Sequence, residues 1–359
     1  MAKTHATLTD EIQALLFDDG TLYSDTKVTV WMRLALTKMS EALVGSDRQY
    51  IVERTFQIES RTGTATTDTS NALVDSGATF IETVDVGKVI YNTTDKTWAV
   101  VTAWVSATEL TLSKDIMVDG DESYQMFNEG CKNIKQINIG DVPDFLEIAK
   151  VVYKAQQDPE DERNFTLEGN ILSLDIDFEP DNSGTTGADK DVYVSFAMTH
   201  RVCTQSDLTG EVDFGDGYVA GSTSMVIDGL TDADSYVYVG TLFTVDGIRG
   251  TYIVATDAAI SSNEATVTFW PGLESAATND DGITFIGSTL RPNLERIVVE
   301  LTVAKALMAR SNDYIGEVTP AGINMWDGFY RAGKVREDSI MAELDKMVPP
   351  KTKRIYPKD

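Results

Sequence analysis

The chain has little cysteine and little histidine. Its 359 residues include only Cys131, Cys203, His5 and His200 of these types. The two cysteines stand outside any C-x-x-C pair, so the sequence predicts neither a disulfide framework nor a structural zinc site. A Ser-His-Asp or Cys-His set needs a histidine to move the proton, and neither histidine lies in a recognisable motif. We therefore predict no enzymatic activity, no metal and no cofactor.

Motifs for other chemistries are also missing. His200 and Cys203 are three residues apart in a predicted strand, where they would point to opposite faces, and this disfavours a Cys-His pair. The glycines at 215, 217 and 221 do not have the G-x-G-x-x-G spacing, and no G-x-x-x-x-G-K-[ST] segment occurs. Acidic turns such as 119–122 and 213–217 lack a complete calcium loop with its distal Glu, so they are typical of hairpin turns instead.

Long apolar runs and positive charge are scarce as well. No stretch approaches the roughly 18 apolar residues of a membrane span, and the first residues carry no signal-peptide pattern. We therefore expect a protein made in a cytoplasm, without membrane contact. Asp and Glu number 57 against 30 Lys and Arg, a net charge of −27. Such a chain should not hold a phosphate backbone, so its acidity serves solubility or forms a wall past which DNA slides.

A β-rich motif occurs twice. Val86-Gly87-Lys88-Val89-Ile90 and Val239-Gly240-Thr241-Leu242-Phe243 stand 153 positions apart, and so do Val100 and Ile253. Between and after them run further segments of strand type, bounded by Gly, Ser, Thr and Asp. We interpret 59–128 as a first β module and 203–287 as a second β module, each inserted into a framework. Such inserts are typical of subunits of large assemblies.

The framework comprises 1–58, 129–202 and 288–359. Apolar residues at helical spacing predict a short helix capped by Thr9 or Thr7, a second from Ser24 to Leu43, a third over 292–310 and a last one from Pro320. Segments 146–153, 165–167, 171–178 and 192–202 predict strands of an antiparallel sheet. The framework is thus expected to mix helices with a sheet.

A basic segment follows Pro349 and Pro350, which end the last helix. It can be a frayed, solubilising terminus, or a peptide that docks on another subunit. In the docking interpretation, apolar anchors and cations meet an acidic neighbour. These partner-docking residues are Lys351, Lys353, Arg354, Ile355 and Tyr356.

The order of these pieces resembles the head-to-tail adaptor (connector, or neck) proteins of tailed bacteriophages. The resemblance lies in TLTDEIQALLFDDGTLYSDTKVTVWMRLALTKM at 7–39, in DVPDFLEIAKVVY at 141–153, and in a long helix, a final helix and a protruding tail at the end. The β modules resemble small modules of phage virion proteins. The resemblance covers the framework and rests on patterns rather than invariant residues.

The resemblance implies an α+β fold: a helical-bundle adaptor core with an antiparallel sheet and two inserted small all-β domains. It implies a homo-oligomeric ring, typically a dodecamer, in the virion neck below the portal protein. That ring would join capsid to tail around the DNA channel and contact a tail-side neck or tail protein, while DNA passes without sequence-specific binding. The expected ring-packing residues are Val28, Trp31, Met32, Met39, Leu294, Ile297, Leu301 and Met308.

Two other functions stay open at this point. The chain can be a tail, baseplate or receptor-binding virion protein whose β modules bind a host glycan or capsid partner. An enzyme acting on polysaccharide is the third possibility, although no sequence motif identifies a catalytic acid, base or nucleophile. The number of copies discriminates between the first two: about twelve favours the adaptor, and three favours a fibre or receptor-binding protein.

Overall fold

The fold is that of a computed structural model, which describes residues 3–18, 20–59, 61–142, 145–154, 160–178, 180, 190–203, 208–231, 236–315 and 324–348. The chain forms two compact units. Unit 1 comprises Met1–Arg54, Asp144–Ala149 and Phe196–Thr352, and unit 2 comprises Thr55–Pro143, Lys150–Ser195 and Lys353–Asp359.

The described part of the chain is mostly β. It contains 20 strands and four long helices, α1 (His5–Leu15), α2 (Asp25–Leu43), α4 (Pro292–Ser311) and α5 (Met325–Met347), with one helical turn, α3 (Glu82–Asp85), and a 3-10 turn at Asn312–Tyr314. The predicted helical-bundle core is therefore wrong as a description of this fold. Helical periodicity shows which face of an individual helix is buried, but it does not show how much of the chain is helical. The many short apolar runs elsewhere in the chain pair as strands.

The long helices pack against each other in unit 1. Thr4 caps α1, since its hydroxyl accepts a hydrogen bond from the Thr7 amide, and Pro292 opens α4 at a position where no amide donor is needed. α4 is the central helix and is apolar on most sides, as expected of a helix that contacts α1, α2 and α5. The helices predicted near 24–43 and 292–310 are confirmed, whereas the start predicted at Pro320 lies outside the described residues.

α4 and α5 approach closely at one glycine. A Cβ built on Gly333 would lie 2.6 Å from the Ala304 carbonyl oxygen and 2.6 Å from Met308 Cγ, so only glycine fits there. Glu337 of α5, 5% exposed, accepts a 2.6 Å hydrogen bond from Lys38 of α2. Lys38 and nearby cations lower the pKa of Glu337, although burial opposes this. One buried carboxylate thus links two helices.

Five sheets contain the strands. A three-stranded sheet has the order β1 (Tyr50–Gln57), β12 (Asp191–Met198), β9 (Glu147–Tyr153), and unit 2 holds another in the order β10 (Phe165–Glu168), β11 (Ile171–Leu174), β8 (Gln136–Asn138). Unit 1 holds a two-stranded sheet of β15 (Tyr236–Val237) and β18 (Ala258–Ala259). The remaining two sheets form the β modules.

The first β module is an open sheet in unit 2, and the second is a closed barrel in unit 1. The open sheet has the order β2 (Thr62–Thr64), β7 (Ser123–Phe127), β4 (Val89–Asn92), β5 (Thr97–Ser106), β6 (Glu109–Leu112), β3 (Ala72–Val74). The barrel has the order β13 (Thr209–Val212), β20 (Gly282–Ile286), β16 (Leu242–Val245), β17 (Tyr252–Val254), β19 (Ala265–Trp270), β14 (Ser224–Asp228), and β14 pairs again with β13. The two lists correspond strand for strand, from β2 and β13 at the start to β3 and β14 at the end.

The two β modules also share their register. Val89 lies opposite Val100 in the open sheet, and Leu242 lies opposite Ile253 in the barrel. Both members of the second pair follow those of the first by 153 positions, which is the offset of the sequence repeat. The repeated sequence therefore corresponds to a repeated pattern of strand pairing.

The turn before these strands is repeated too. The Gly87 amide donates to the Val101 carbonyl at 2.9 Å, and the Gly240 amide donates to the Val254 carbonyl at 2.8 Å. Both glycines have positive φ, +90° and +85°, a conformation that side chains disfavour. The glycine that both motifs share is thus explained by one turn geometry.

One buried feature distinguishes the modules. The open sheet contains an ion network of Glu59, Arg61, Asp85 and Lys88. Lys88 Nζ lies 2.5 Å from Glu59 Oε2 and 3.2 Å from Asp85 Oδ1, and Arg61 donates to both carboxylates. Asp85 is fully buried. In the barrel Thr241 occupies the position of Lys88, so the barrel forms without these ions.

Candidate functional site

The residues predicted to pack a ring lie mostly inside unit 1. Six of the eight, Val28, Met32, Met39, Leu294, Ile297 and Leu301, are at most 2% exposed and belong to one cluster between the helices. Trp31 is partly buried against the same cluster, and Met308 lies beside Gly333. These side chains stabilise the chain's own fold. Their role in a ring stays a prediction, and any contact between copies would use the opposite faces of the helices.

The outward face of α5 carries small and apolar residues. Gly328, Ala332, Val335, Ser339 and Ala342 are exposed and follow one another at intervals of four and three. This spacing puts them on one stripe with the period of a coiled-coil seam. We call these five residues the α5 seam, and its heptad spacing is visible in the sequence beside the inward apolar stripe of the same helix.

Large apolar side chains are exposed near the start of α5 and on α2. Trp326 and Tyr330 of α5 are 39% and 45% exposed, and Val30 and Leu34, one turn apart on α2, are 51% and 52% exposed. Aromatic residues of this kind are enriched in protein interfaces. The partner-docking tail residues Lys351, Lys353, Arg354, Ile355 and Tyr356 lie outside the described residues, so that prediction stays open.

His200 holds parts of unit 1 together. Its Nε2 lies 2.9 Å from the Arg48 carbonyl oxygen, its Nδ1 lies 3.1 Å from Thr289 Oγ1, and its amide donates to Ser40 Oγ. Burial lowers the pKa of His200, so the ring stays neutral near pH 7. These contacts use both ring nitrogens and describe a structural histidine.

Cys203 and His200 lie beyond the end of the strand in which the sequence predicts them. β12 ends at Met198, so residues 200 and 203 do not alternate along a strand as predicted, and both line one cavity. Burial raises the pKa of the Cys203 thiol, whose Sγ donates to the Gly240 carbonyl at 3.4 Å. The strand prediction was wrong at this point, but the thiol is protonated and has no hydrogen bond to the imidazole.

This cavity has a volume of about 540 Å³ and is basic. We call it the basic cavity, and its lining residues are grouped by chemistry. Its cations are Arg33 and Arg201; its imidazoles are His5 and His200; its apolar and hydroxyl walls include Met32, Leu36, Val202, Thr29, Thr37 and Thr241. No carboxylate is among the lining residues, and in the described part of the chain neither arginine has a carboxylate within 4.0 Å.

An aromatic pair lies on the first β module. Tyr91 and Trp98 face each other across β4 and β5, with ring centroids 4.2 Å apart, and Trp98 is 37% exposed. Val100, two residues along β5 on the same face, is 42% exposed. This part of the open sheet therefore presents an apolar surface to solvent.

Among the described residues no three His, Cys, Asp or Glu side chains are grouped as metal ligands would be. None of the described helices combines the length and the apolar composition that crossing a bilayer requires. Comparison with protein-family models, curated proteins and solved structures found no match to this chain. The class of protein is therefore inferred from its own residues.

Proposed function

We propose that this chain is a structural virion protein, a head-to-tail adaptor that assembles into a ring below the portal and joins capsid to tail around the DNA channel. The virion setting rests on the sequence resemblance alone. The assembly of copies rests on a separate observation, the α5 seam, whose small residues and Val335 are exposed on the outward face of α5.

The seam supports a contact between copies because the helix has already buried its other face. Ile340 and Leu344 pack into the helix cluster, and Gly333 brings α5 against α4. The outward stripe of small residues would let a second helix approach closely, and Val335, 69% exposed, would be buried by it. The occupant we propose is a second copy of this chain.

The acidity supports a passive role toward DNA. Each copy carries a net charge of −27, and a ring would concentrate that charge around its channel. Like-charge repulsion would then keep passing DNA from adhering.

The oligomeric state tests the assembly. Light scattering coupled to gel filtration and negative-stain electron microscopy should find a closed ring of about twelve copies, as the resemblance implies. Ala332→Glu and Val335→Glu should shift the protein to monomers, because each places a charge inside the seam. Ala6→Glu on the exposed side of α1 is the matched control and should leave the ring intact. A monomer at all concentrations, or a ring unaffected by both seam variants, would refute the proposal.

Portal attachment tests the virion setting. Deleting 349–359 should abolish co-sedimentation with a portal protein while leaving the unfolding temperature nearly unchanged, if the basic tail is the docking peptide. Full binding by the truncated protein would remove the tail from the interface.

A receptor-binding virion protein is the second candidate, favoured by the Tyr91–Trp98 pair on the open sheet. Exposed aromatic faces supply large apolar contact area with a polar edge, which suits a sugar ring. A mass corresponding to three copies, with glycan binding that Trp98→Ala abolishes, would select this function over the adaptor.

A further inference from the structure

The basic cavity concentrates unpaired positive charge in an acidic chain. Carboxylates outnumber Lys and Arg by 57 to 30, and the buried Lys88 and the partly buried Lys305 lie beside carboxylates. Arg33 and Arg201 line one cavity without such a partner among the described residues. Asp10 and Asp25 line a neighbouring cavity together with Arg33, but they do not line this one. An anion in the basic cavity would be attracted by both guanidinium groups.

Both arginines are held on rigid backbone. Arg33 lies within α2, and the Arg201 amide donates to Thr289 Oγ1 at 2.9 Å while the Thr289 amide donates to the Arg201 carbonyl at 3.0 Å. A Cβ built on Gly240 would lie 3.5 Å from Arg201 Nη1, so the guanidinium rests against the glycine turn. The Arg201 side chain, whose position is set before binding, loses less entropy when a ligand arrives.

A hydroxyl group beside Arg201 has no hydrogen-bond partner. Tyr50 Oη is buried and makes no hydrogen bond within the described part of the chain. Burial raises the pKa of Tyr50 to about 12, although the positive charge of Arg201 opposes this. A buried hydroxyl without a partner is costly, but Tyr50 is not among the residues that line the basic cavity.

We propose that the basic cavity binds a small organic anion. Its carboxylate or phosphate group would accept hydrogen bonds from Arg33 and Arg201, since a guanidinium fork matches the geometry of both groups. The apolar part of the ligand would contact Met32, Leu36 and Val202. A volume of about 540 Å³ lies within the usual range for small-molecule sites and exceeds what one partner side chain would occupy. This site is independent of the assembly through the α5 seam.

Calorimetric titration of the full-length protein at low ionic strength tests the site, with phenyl phosphate, benzoate and inorganic phosphate as probes. Phenyl phosphate or benzoate should bind, and inorganic phosphate should bind more weakly because it leaves the apolar walls unfilled. Arg33→Gln and Arg201→Gln should each weaken binding by about tenfold, the usual worth of a hydrogen bond to a charged group. Arg331→Gln, which removes an exposed arginine from α5, should leave affinity unchanged.

Absence of binding by all three probes would overturn the proposal, and so would unchanged affinity in Arg33→Gln. If Arg201→Gln fails to fold, Arg33→Gln still decides, because Arg33 is an exposed side chain of α2. Inorganic phosphate binding as tightly as phenyl phosphate would refute an organic ligand.

Discussion

Asp85 is the residue whose change should most affect unit 2. Its carboxylate is fully buried, accepts two hydrogen bonds from Arg61 and one from the Ile81 amide, and lies 3.2 Å from Lys88 Nζ. Asp85→Asn keeps the shape and removes the charge. Arg61 and Lys88 would then share only Glu59, which leaves one buried positive charge without compensation.

The magnitude follows from burial. Breaking a buried ion pair from one side costs about 3–5 kcal/mol. The Arg61 side chain is 31% exposed and can turn partly toward water, whereas that of Lys88 is 9% exposed and cannot. We therefore expect the lower end, a loss of about 3 kcal/mol in the free energy of unfolding of unit 2.

Urea unfolding with hydrogen-exchange mass spectrometry measures this loss and assigns it to peptides of the open sheet. Asp115→Asn, the same change at an exposed position of unit 2, is the control and should have no measurable effect. Asp85→Asn combined with Arg61→Leu should cost at least about 1 kcal/mol less than the two single changes together. Leucine replaces Arg61 because the barrel carries Leu208, which is 5% exposed, at the position equivalent to Arg61.

A loss below about 1 kcal/mol in Asp85→Asn, or strict additivity in the double variant, would refute the reasoning. Either result would mean that water or neighbouring residues compensate these charges.

Three further predictions concern pH and packing. Burial would raise the pKa values of Asp85 and Glu59, but Arg61 and Lys88 stabilise the two carboxylates and hold these pKa values below their usual range. Unit 2 should therefore lose stability as pH falls below about 4. Unfolding measured at a series of pH values tests this. Burial lowers the pKa of His200, so unit 1 should lose stability as pH falls below about 6.5. His200→Asn should reduce the slope of the free energy of unfolding against pH in this range. An unchanged slope would contradict the prediction. Gly333→Ala should destabilise unit 1 by about 1–3 kcal/mol through overpacking. Gly328→Ala, in the same helix but with open space around the added Cβ, should stabilise unit 1 by about 0.5–1 kcal/mol. Equal unfolding temperatures for the two variants and the unchanged protein would refute both predictions.

Local signals in the sequence predicted the positions of individual elements. Apolar residues at helical spacing located α2 and α4, and Pro292 marked the first turn of α4. The repeat offset of 153 located two modules whose strands pair in equivalent register. These signals are local because one turn, one helix face or one strand alternation is encoded within a few neighbouring residues.

The same signals failed where the outcome depends on distant partners. The resemblance implied a helical-bundle core, yet 20 strands make the described chain mostly β. The sequence repeat did not reveal that one module closes, by pairing of β13 with β14, while the other stays open. Closure depends on how edge strands from separate segments approach, which no local pattern specifies.

The sequence by itself determined a chain that is acidic, poor in histidine and cysteine, duplicated in part, and made of short strands and a few amphipathic helices. Only the tertiary structure decided which charges meet. It placed Arg33 beside the cavity that Arg201 lines, and it enclosed Lys88 with Glu59 and Asp85. The physical reason is that a cation's energy depends on the carboxylates, water and apolar walls within a few ångströms, and folding brings these together from positions far apart in the chain.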